Sequence, residues 1–340
     1  MTMSVIRTKR NLVKPAKETP FTVLDLSAID QLPVLRCNVK TLHVFRHGPE
    51  APRVIREALS LALVPYYPLA GRVKESKPWC LQIECSGDGV WYVEASTDCK
   101  LDSVNFFDDT ESIPYGNLLP DDVHEIKPID PLVQMQLKRQ FQQVTGQSCS
   151  TFEIVAALFW SSRTRAINFD PNTQVKLVFF ANCRHLINPP LPKGFYGNCF
   201  FPVTTTASCE SLRKAPNIFE VVKLIQEAKA RLPLEFVKYL KGEHINDGDK
   251  IEEDPFAPTP NYATLFMSEW GRLGFDNVDY QWGPPVHVVP IQGSSIVPAG
   301  IMRSLPLPNR GIRLVTWCVE EAHRLPFIDQ IHGLIKQQVL

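Results

Sequence analysis

The sequence lacks an excess of charge of either sign: 36 lysines and arginines stand against 36 aspartates and glutamates, for a formal net charge of zero. A balanced chain has no long-range attraction to a polyanion, which removes the electrostatic case for nucleic acid or an anionic membrane as partner. No run approaches the roughly 20 apolar residues of a membrane-spanning helix. Met1 to Lys17 is basic and lacks an apolar core long enough for a signal peptide. Cysteines stand at 37, 80, 85, 99, 149, 183, 199, 209 and 318, an odd set with no CxxC pair. That scatter suits a reducing compartment better than a disulfide framework, so the expected location is the cytosol. There is no Gly-x-Ser-x-Gly nucleophile elbow and no HExxH or other metal-ligand cluster, so neither a serine-hydrolase elbow nor a bound metal is expected. Internal repeats and low-complexity tracts are absent too.

What is present is ordinary globular material. The 340 residues are 44% hydrophobic and 21% charged, enough for one large or two ordinary domains with a sizeable core. From Ala51 to Val64, Val54, Ile55, Ala58, Leu59, Ala62 and Leu63 recur at helical spacing, and Pro65 and Pro68 end the run. Leu81, Ile83 and Cys85 alternate, as do Val90 and Tyr92; the turn signal Ser86-Gly87-Asp88-Gly89 between them predicts a β-hairpin. Ser150-Thr151-Phe152-Glu153 has capping-box spacing and predicts a helix through Val155, Leu158, Phe159 and Arg163. Val175 to Phe180 predicts a buried strand. Ile218 to Leu232 predicts an amphipathic helix stopped by Pro233. Lys241 to Pro260 is polar, acidic and proline-punctuated, a surface loop. Ala263 to Trp270 and Arg313 to Val319 predict strands, and His323 to Val339 a terminal helix. Strands and helices mixed in this way favour an α/β class.

Several strings in this chain carry a resemblance. Tyr66-Tyr67-Pro68-Leu69-Ala70-Gly71-Arg72 and Val278-Asp279-Tyr280-Gln281-Trp282-Gly283-Pro284 resemble the YYPLAGR and DFGWG landmarks of the BAHD family, plant acyltransferases that move an acyl group from coenzyme A to an alcohol or amine. Trp160-Ser161-Ser162-Arg163-Thr164-Arg165-Ala166 and Pro189 to Asn198 match as well, in the family's order. The stretch Pro189 to Val203 looks most like the members that use benzoyl or hydroxycinnamoyl donors and alcohol acceptors.

The resemblance implies a general base in a His-x-x-x-Asp-Gly motif between the two landmarks. None of the eight histidines has an aspartate four residues on. Pro128 to Gln136 resembles the entry to the strand before that motif, whereas Leu137 to Phe141 resembles a helix well beyond it. The two pieces meet at about Gln136/Leu137, as if the catalytic segment had been removed. The implied fold is a two-domain, chloramphenicol-acetyltransferase-like α/β architecture with an active-site channel between the domains. On that view residues 1–136 are an internally truncated first domain and residues 137–340 the second.

The resemblance also assigns roles. Arg184, in Ala181-Asn182-Cys183-Arg184, takes the position of the arginine that pairs with the motif's aspartate. It is then either a buried charge without its partner, at a cost of about 3–5 kcal/mol, or an exposed and hydrated one. Ser268 and Trp270 match a Thr/Ser-x-Trp stretch; the Ser268 hydroxyl is either a donor to the developing oxyanion or an ordinary turn residue. Asp279, Trp282 and Gly283 are structural, and Gln281 stands where the landmark has glycine, a residue that permits positive φ. His124, His185 and His287 are weighed as substitute bases and read as solvated loop or strand-edge histidines, and Glu153 as a helix cap. No catalytic residue is therefore assigned, and no cofactor is expected beyond acyl-coenzyme A as co-substrate. The expected activity is acyl transfer to a small alcohol in plant secondary or cell-wall metabolism, impaired by loss of the base. The alternative is a non-catalytic truncated product that binds ligand or a full-length relative, or is unstable. A truncated first domain also predicts exposed apolar surface and self-association.

Overall fold

The computed structural model describes residues 4–32, 40–77, 80–107, 118, 128–129, 149–215, 217–243, 254–256, 261–290, 297–305 and 311–336. The junction at Gln136/Leu137, His124 and most of the 241–260 loop lie outside them. The chain divides into two compact units. The first holds Met1–Glu125, Tyr196–Asn198 and Gly274–Gln292, and the second holds Ile126–Phe195, Cys199–Leu273 and Gly293–Leu340. Gly274–Gln292, within the 137–340 span read from sequence as the second domain, thus packs in the first unit.

The first unit is built from small sheets. Strands β1 (Val5–Val13) and β6 (Val90–Thr97) pair antiparallel, with Val13 opposite Val90. Strands β2 (Val23–Asp25), β5 (Cys80–Glu84) and β4 (Arg72–Lys77) form a three-stranded sheet with β5 in the middle. Strand β3 (Thr41–Val44) pairs with β11 (His287–Pro290). Helix α1 (Ala51–Ala62) carries Pro52 in its first turn, where a missing N–H costs nothing. None of its residues is buried. Among the described residues, one apolar cluster of this unit joins Val13, Leu63 and Ala70, with Leu59, Val90 and Tyr92 against it, and Val44, Val288 and Val289 are buried on the β3–β11 pair.

The predicted hairpin over residues 81–92 does not form. Both strands exist, but β5 pairs with β4 and β2 while β6 pairs with β1. The connection is held elsewhere. Gly89 N–H donates to the Ala70 carbonyl at 2.9 Å, and the Arg72 guanidinium donates to the Gly89 carbonyl at 2.9 Å. A Cβ on Gly89 would lie 2.3 Å from the Val13 carbonyl oxygen. The actual hairpin is β4–β5, hidden in the sequence because every residue of β4 is exposed and Arg-Val-Lys-Glu-Ser-Lys carries no apolar alternation.

The second unit is organised around a six-stranded mixed sheet in the order β7 (Pro128–Ile129), β13 (Ile312–Trp317), β12 (Ala299–Ser304), β10 (Thr264–Glu269), β8 (Gln174–Asn182), β9 (Phe200–Ser208). Strands β8, β10 and β12 run parallel to one another; β7, β9 and β13 are antiparallel to their neighbours. Helix α2 (Thr151–Ile167) lies at the centre, buried continuously from Glu153 to Thr164. That is why it shows no clean polar face: it packs on the sheet and on other helices at once. Its capping box is complete, with Ser150 Oγ accepting from Glu153 N–H and the Glu153 carboxylate accepting from Ser150 N–H at 2.8 Å.

Among the described residues this unit has three more α-helices: α3 (Cys209–Lys214), α4 (Ile218–Leu240) and α5 (Glu321–Lys336). Helix α4 passes through Pro233, which the sequence predicts as its end. An internal proline removes one helical hydrogen bond, yet the turns beyond it are anchored by aromatics. Phe236 is buried against Phe201 at 5.8 Å, and the Tyr239 ring lies tilted against Phe256 at 5.0 Å. Among the described residues no helix is long and apolar enough to cross a membrane.

Candidate functional site

In sheets of this kind ligands gather beyond the carboxyl ends of parallel strands. The ends of β8 and β10, which are neighbours, carry three of the residues singled out from sequence. Ser268 is the penultimate residue of β10, half-buried and in register with Ile301 of β12. It is therefore part of a strand and not of a turn. Trp270 follows the strand, largely buried, and its backbone N–H donates to the Met302 carbonyl at 2.8 Å, fastening the end of β10 to β12. Arg184 opens a single 3-10 turn just after β8. Its backbone N–H donates to Asn182 Oδ1 at 3.0 Å. The side chain is exposed, so no buried-charge cost arises there. Its guanidinium also acts on Cys199: burial pushes that thiol's pKa up, and the nearby cation pulls it down.

Asp279, Trp282 and Gly283 belong to the first unit. Asp279 Oδ1 accepts the backbone N–H of Gln281 at 2.7 Å and of Gly283 at 3.0 Å, closing a tight loop. Gln281 adopts φ 79°, the glycine-like conformation its replacement of glycine had put in question. Gly283 follows at φ 92°. The Trp282 ring meets Phe45 edge-on at 6.3 Å and lies beside Tyr280 at 5.5 Å. A Cβ on Gly48 would touch the same indole at 3.3 Å. With β11 paired to β3 by the next residues, the landmark fastens 274–292 to the first unit's early chain.

The other landmark is also a packing device. Gly71 leaves no space for a side chain, since a Cβ would lie 2.2 Å from the Glu84 carbonyl oxygen. Arg72 donates to the carbonyls of Gly71 and Gly89 at 2.7 and 2.9 Å, which locks the 3-10 turn Tyr67–Ala70 against the 86–89 connection. Tyr66 meets Tyr196 edge-on at 5.1 Å.

The histidines weighed as substitute bases divide. His185 is exposed beside Arg184, whereas His287 is buried on β11 opposite Val44 and is not a solvated residue. Pattern reading missed the buried arginines Arg163, Arg303 and Arg313. Arg163 is wholly buried; it donates through Nε to the Cys318 carbonyl at 2.7 Å, through Nη2 to the Tyr262 carbonyl, and lies over the Tyr262 ring at 4.8 Å. Burial lowers its pKa. The available signal was its position: four residues from Phe159 and eight from Val155, it sits on the apolar stripe of α2. Among the described residues no cluster of three or more His, Cys, Asp or Glu side chains could hold a metal ion.

Comparison with known proteins agrees with this geometry. A model of the Transferase family matches residues 3–138 and 129–321. Acyl transferase 4 of Oryza sativa subsp. japonica is 32% identical over 447 aligned residues, covering 99% of this chain and 100% of that protein. Myricetin 3-O-glucosyl 1,2-rhamnoside 6'-O-caffeoyltransferase AT2 of Crocosmia x crocosmiiflora is 27% identical, with 98% and 99% covered. The crystal structure of vinorine synthase superposes with a TM-score of 0.67 at 15% identity, over 97% of this chain and 98% of that one. The chain belongs to this family, the BAHD acyltransferases, whose members are acyl-coenzyme A-dependent. Its fold is the mixed α/β, two-domain fold of vinorine synthase.

Proposed function

We propose that this chain keeps the scaffold of a transferase moving an aromatic acyl group from coenzyme A to an alcohol in plant secondary metabolism, and that it lacks the general base of the reaction. The observation that carries the reading is a deficit of length. The alignment with the rice acyl transferase runs over 447 positions and spans that whole protein, whereas this chain has 340 residues. The deficit is consistent with a break near Gln136/Leu137, because the family model matches in two pieces that overlap at residues 129–138. No histidine in the chain carries an aspartate four positions on. The caffeoyl transfer in the name of the Crocosmia relative supports an aromatic acyl donor.

In the complete reaction a base takes the proton of the acceptor hydroxyl, the oxygen attacks the thioester carbonyl, and the tetrahedral oxyanion collapses with loss of coenzyme A. An alcohol is a poor nucleophile, and general-base help contributes about 10²–10⁴-fold. On this reading Ser268, near the end of β10, is the donor to the oxyanion, but oxyanion stabilisation does not replace proton removal. On this reading the domains are residues 1–136 and 137–340, and the setting is the cytosol.

A second reading, a non-catalytic product that binds a full-length relative or is unstable by itself, is favoured by the apolar side chains that the first unit exposes. There no residue of α1 is fully buried, and Leu61, Leu69 and Trp91 are exposed. The deciding experiment incubates purified protein with aromatic and aliphatic acyl-coenzyme A donors and a panel of alcohols. We expect no appreciable transfer; turnover within tenfold of a full-length relative would overturn the proposal.

A further inference from the structure

Strands β8 and β9 pair antiparallel, with Asn182 opposite Phe200 at their open end. One step further Cys183 N–H donates to the Cys199 carbonyl at 3.1 Å. The two cysteines are therefore directly opposed, and their side chains leave the ladder on the same face. Hydrogen-bonded antiparallel pairs hold their Cα atoms about 5.5 Å apart, inside the span of roughly 4.4–6.8 Å that a disulfide bridges. Both are free thiols. Among the described residues, no other two cysteines are brought opposite each other by a strand register.

We propose that Cys183 and Cys199 form a reversible disulfide that closes the base of the excursion from Arg184 to Asn198. The excursion begins with Arg184 and includes Tyr196–Asn198 of the first unit, so the bond would staple this loop where it leaves and rejoins the sheet.

The environments of the two thiols set the order of events. Cys183 is wholly buried, and burial pushes its pKa up to about 12. Its Sγ–H donates to the Ala181 carbonyl at 3.4 Å. Cys199 is slightly exposed, and the Arg184 cation offsets part of its burial. Cys199 is thus the first to react with a hydroperoxide. Its thiolate takes one oxygen and a proton to become a sulfenic acid, releasing one water. The Cys183 thiol rotates about χ1 away from Ala181 and attacks the sulfenic sulfur. A second water leaves, and the sulfur–sulfur bond forms. Overall, two thiols and one hydrogen peroxide give one disulfide and two waters.

The test treats the full chain with hydrogen peroxide and maps it by non-reducing digestion and mass spectrometry. The expected product is a Cys183–Cys199 cross-linked peptide pair that dithiothreitol separates. Closing a loop of roughly 15 residues should raise the melting temperature of the oxidised protein by about 5 °C over the reduced form. Cys183→Ala and Cys199→Ala should each abolish that rise, with near-ultraviolet circular dichroism reporting that the reduced variants are folded. Sulfinic acid at Cys199 without the cross-link in the wild-type chain would overturn the proposal. So would a rise that persists in Cys183→Ala. The mapping uses the unmodified protein and does not depend on the variants folding.

Discussion

Asp279 holds Gln281 in a backbone conformation that its own side chain disfavours: the carboxylate accepts the Gln281 N–H at 2.7 Å while Gln281 sits at φ 79°. A left-handed residue other than glycine costs about 1–2 kcal/mol. Gln281→Gly should therefore stabilise the first unit by about 1 kcal/mol, and Asp279→Ala should destabilise it by a similar amount by releasing two N–H groups. Urea unfolding followed by tryptophan fluorescence checks both. A destabilised Gln281→Gly would mean that the side chain contributes contacts outweighing the strain.

The Glu153 carboxylate is nearly buried between α2 and α4. Burial raises its pKa, but the bonds from Lys229, Ser150 N–H and Gln226 outweigh burial and leave it below the ordinary glutamate value. A depressed folded-state pKa contributes stability above the unfolded value and loses it as pH falls through the folded one. Acid should therefore destabilise the wild type more steeply below about pH 4.5 than it does Glu153→Gln. Lys229→Met should cost about 2 kcal/mol at neutral pH. Equal acid slopes in wild type and Glu153→Gln would refute the assignment.

Arg163 joins α2 to the Tyr262 and Cys318 carbonyls with no carboxylate among its hydrogen-bond partners. Arg163→Ala would leave a cavity and two unpaired buried carbonyls, at a cost of about 3–5 kcal/mol. Arg163→Lys should recover little, because an ammonium lacks the planar fork and stacks poorly on Tyr262. Thermal melts of the two variants separate charge from shape: near-wild-type stability in Arg163→Lys would show that charge alone suffices.

Limited proteolysis should distinguish the two units. The large apolar cluster, from Cys149 through Trp160, Phe179, Ile225 and Leu265 to Phe327, lies wholly in the second unit. We expect resistant fragments that contain Thr151–Leu240, and early cleavage within residues 4–107. Survival of the first unit after loss of the second would contradict this order of stability.

Local chemistry alone made part of the molecule legible. The capping box at Ser150, the apolar run Val175–Phe180 and the helical spacing from Ala51 to Val64 depend on neighbours within a few residues, and a helix or strand forms at each, the first helix ending at Ala62. The landmarks around Gly71 and Asp279 identified the family, and the 86–89 glycines marked a turn. Partnership was different. Whether β5 pairs with β6 or with β4 depends on the distant Ala70 carbonyl, which accepts the Gly89 N–H, and on the Val13 carbonyl, which leaves no space for a side chain there. Whether Pro233 ends a helix depends on Phe201 and Phe256 holding the turns beyond it. The sequence puts Arg163 on the helical stripe of Val155 and Phe159, but its partners are backbone carbonyls about a hundred residues away or more. Cys183 and Cys199 become a pair only through the register of β8 on β9. Periodicity records which face of an element is apolar, but the energy that selects its partner comes from contacts between segments far apart in the chain, which no local window contains.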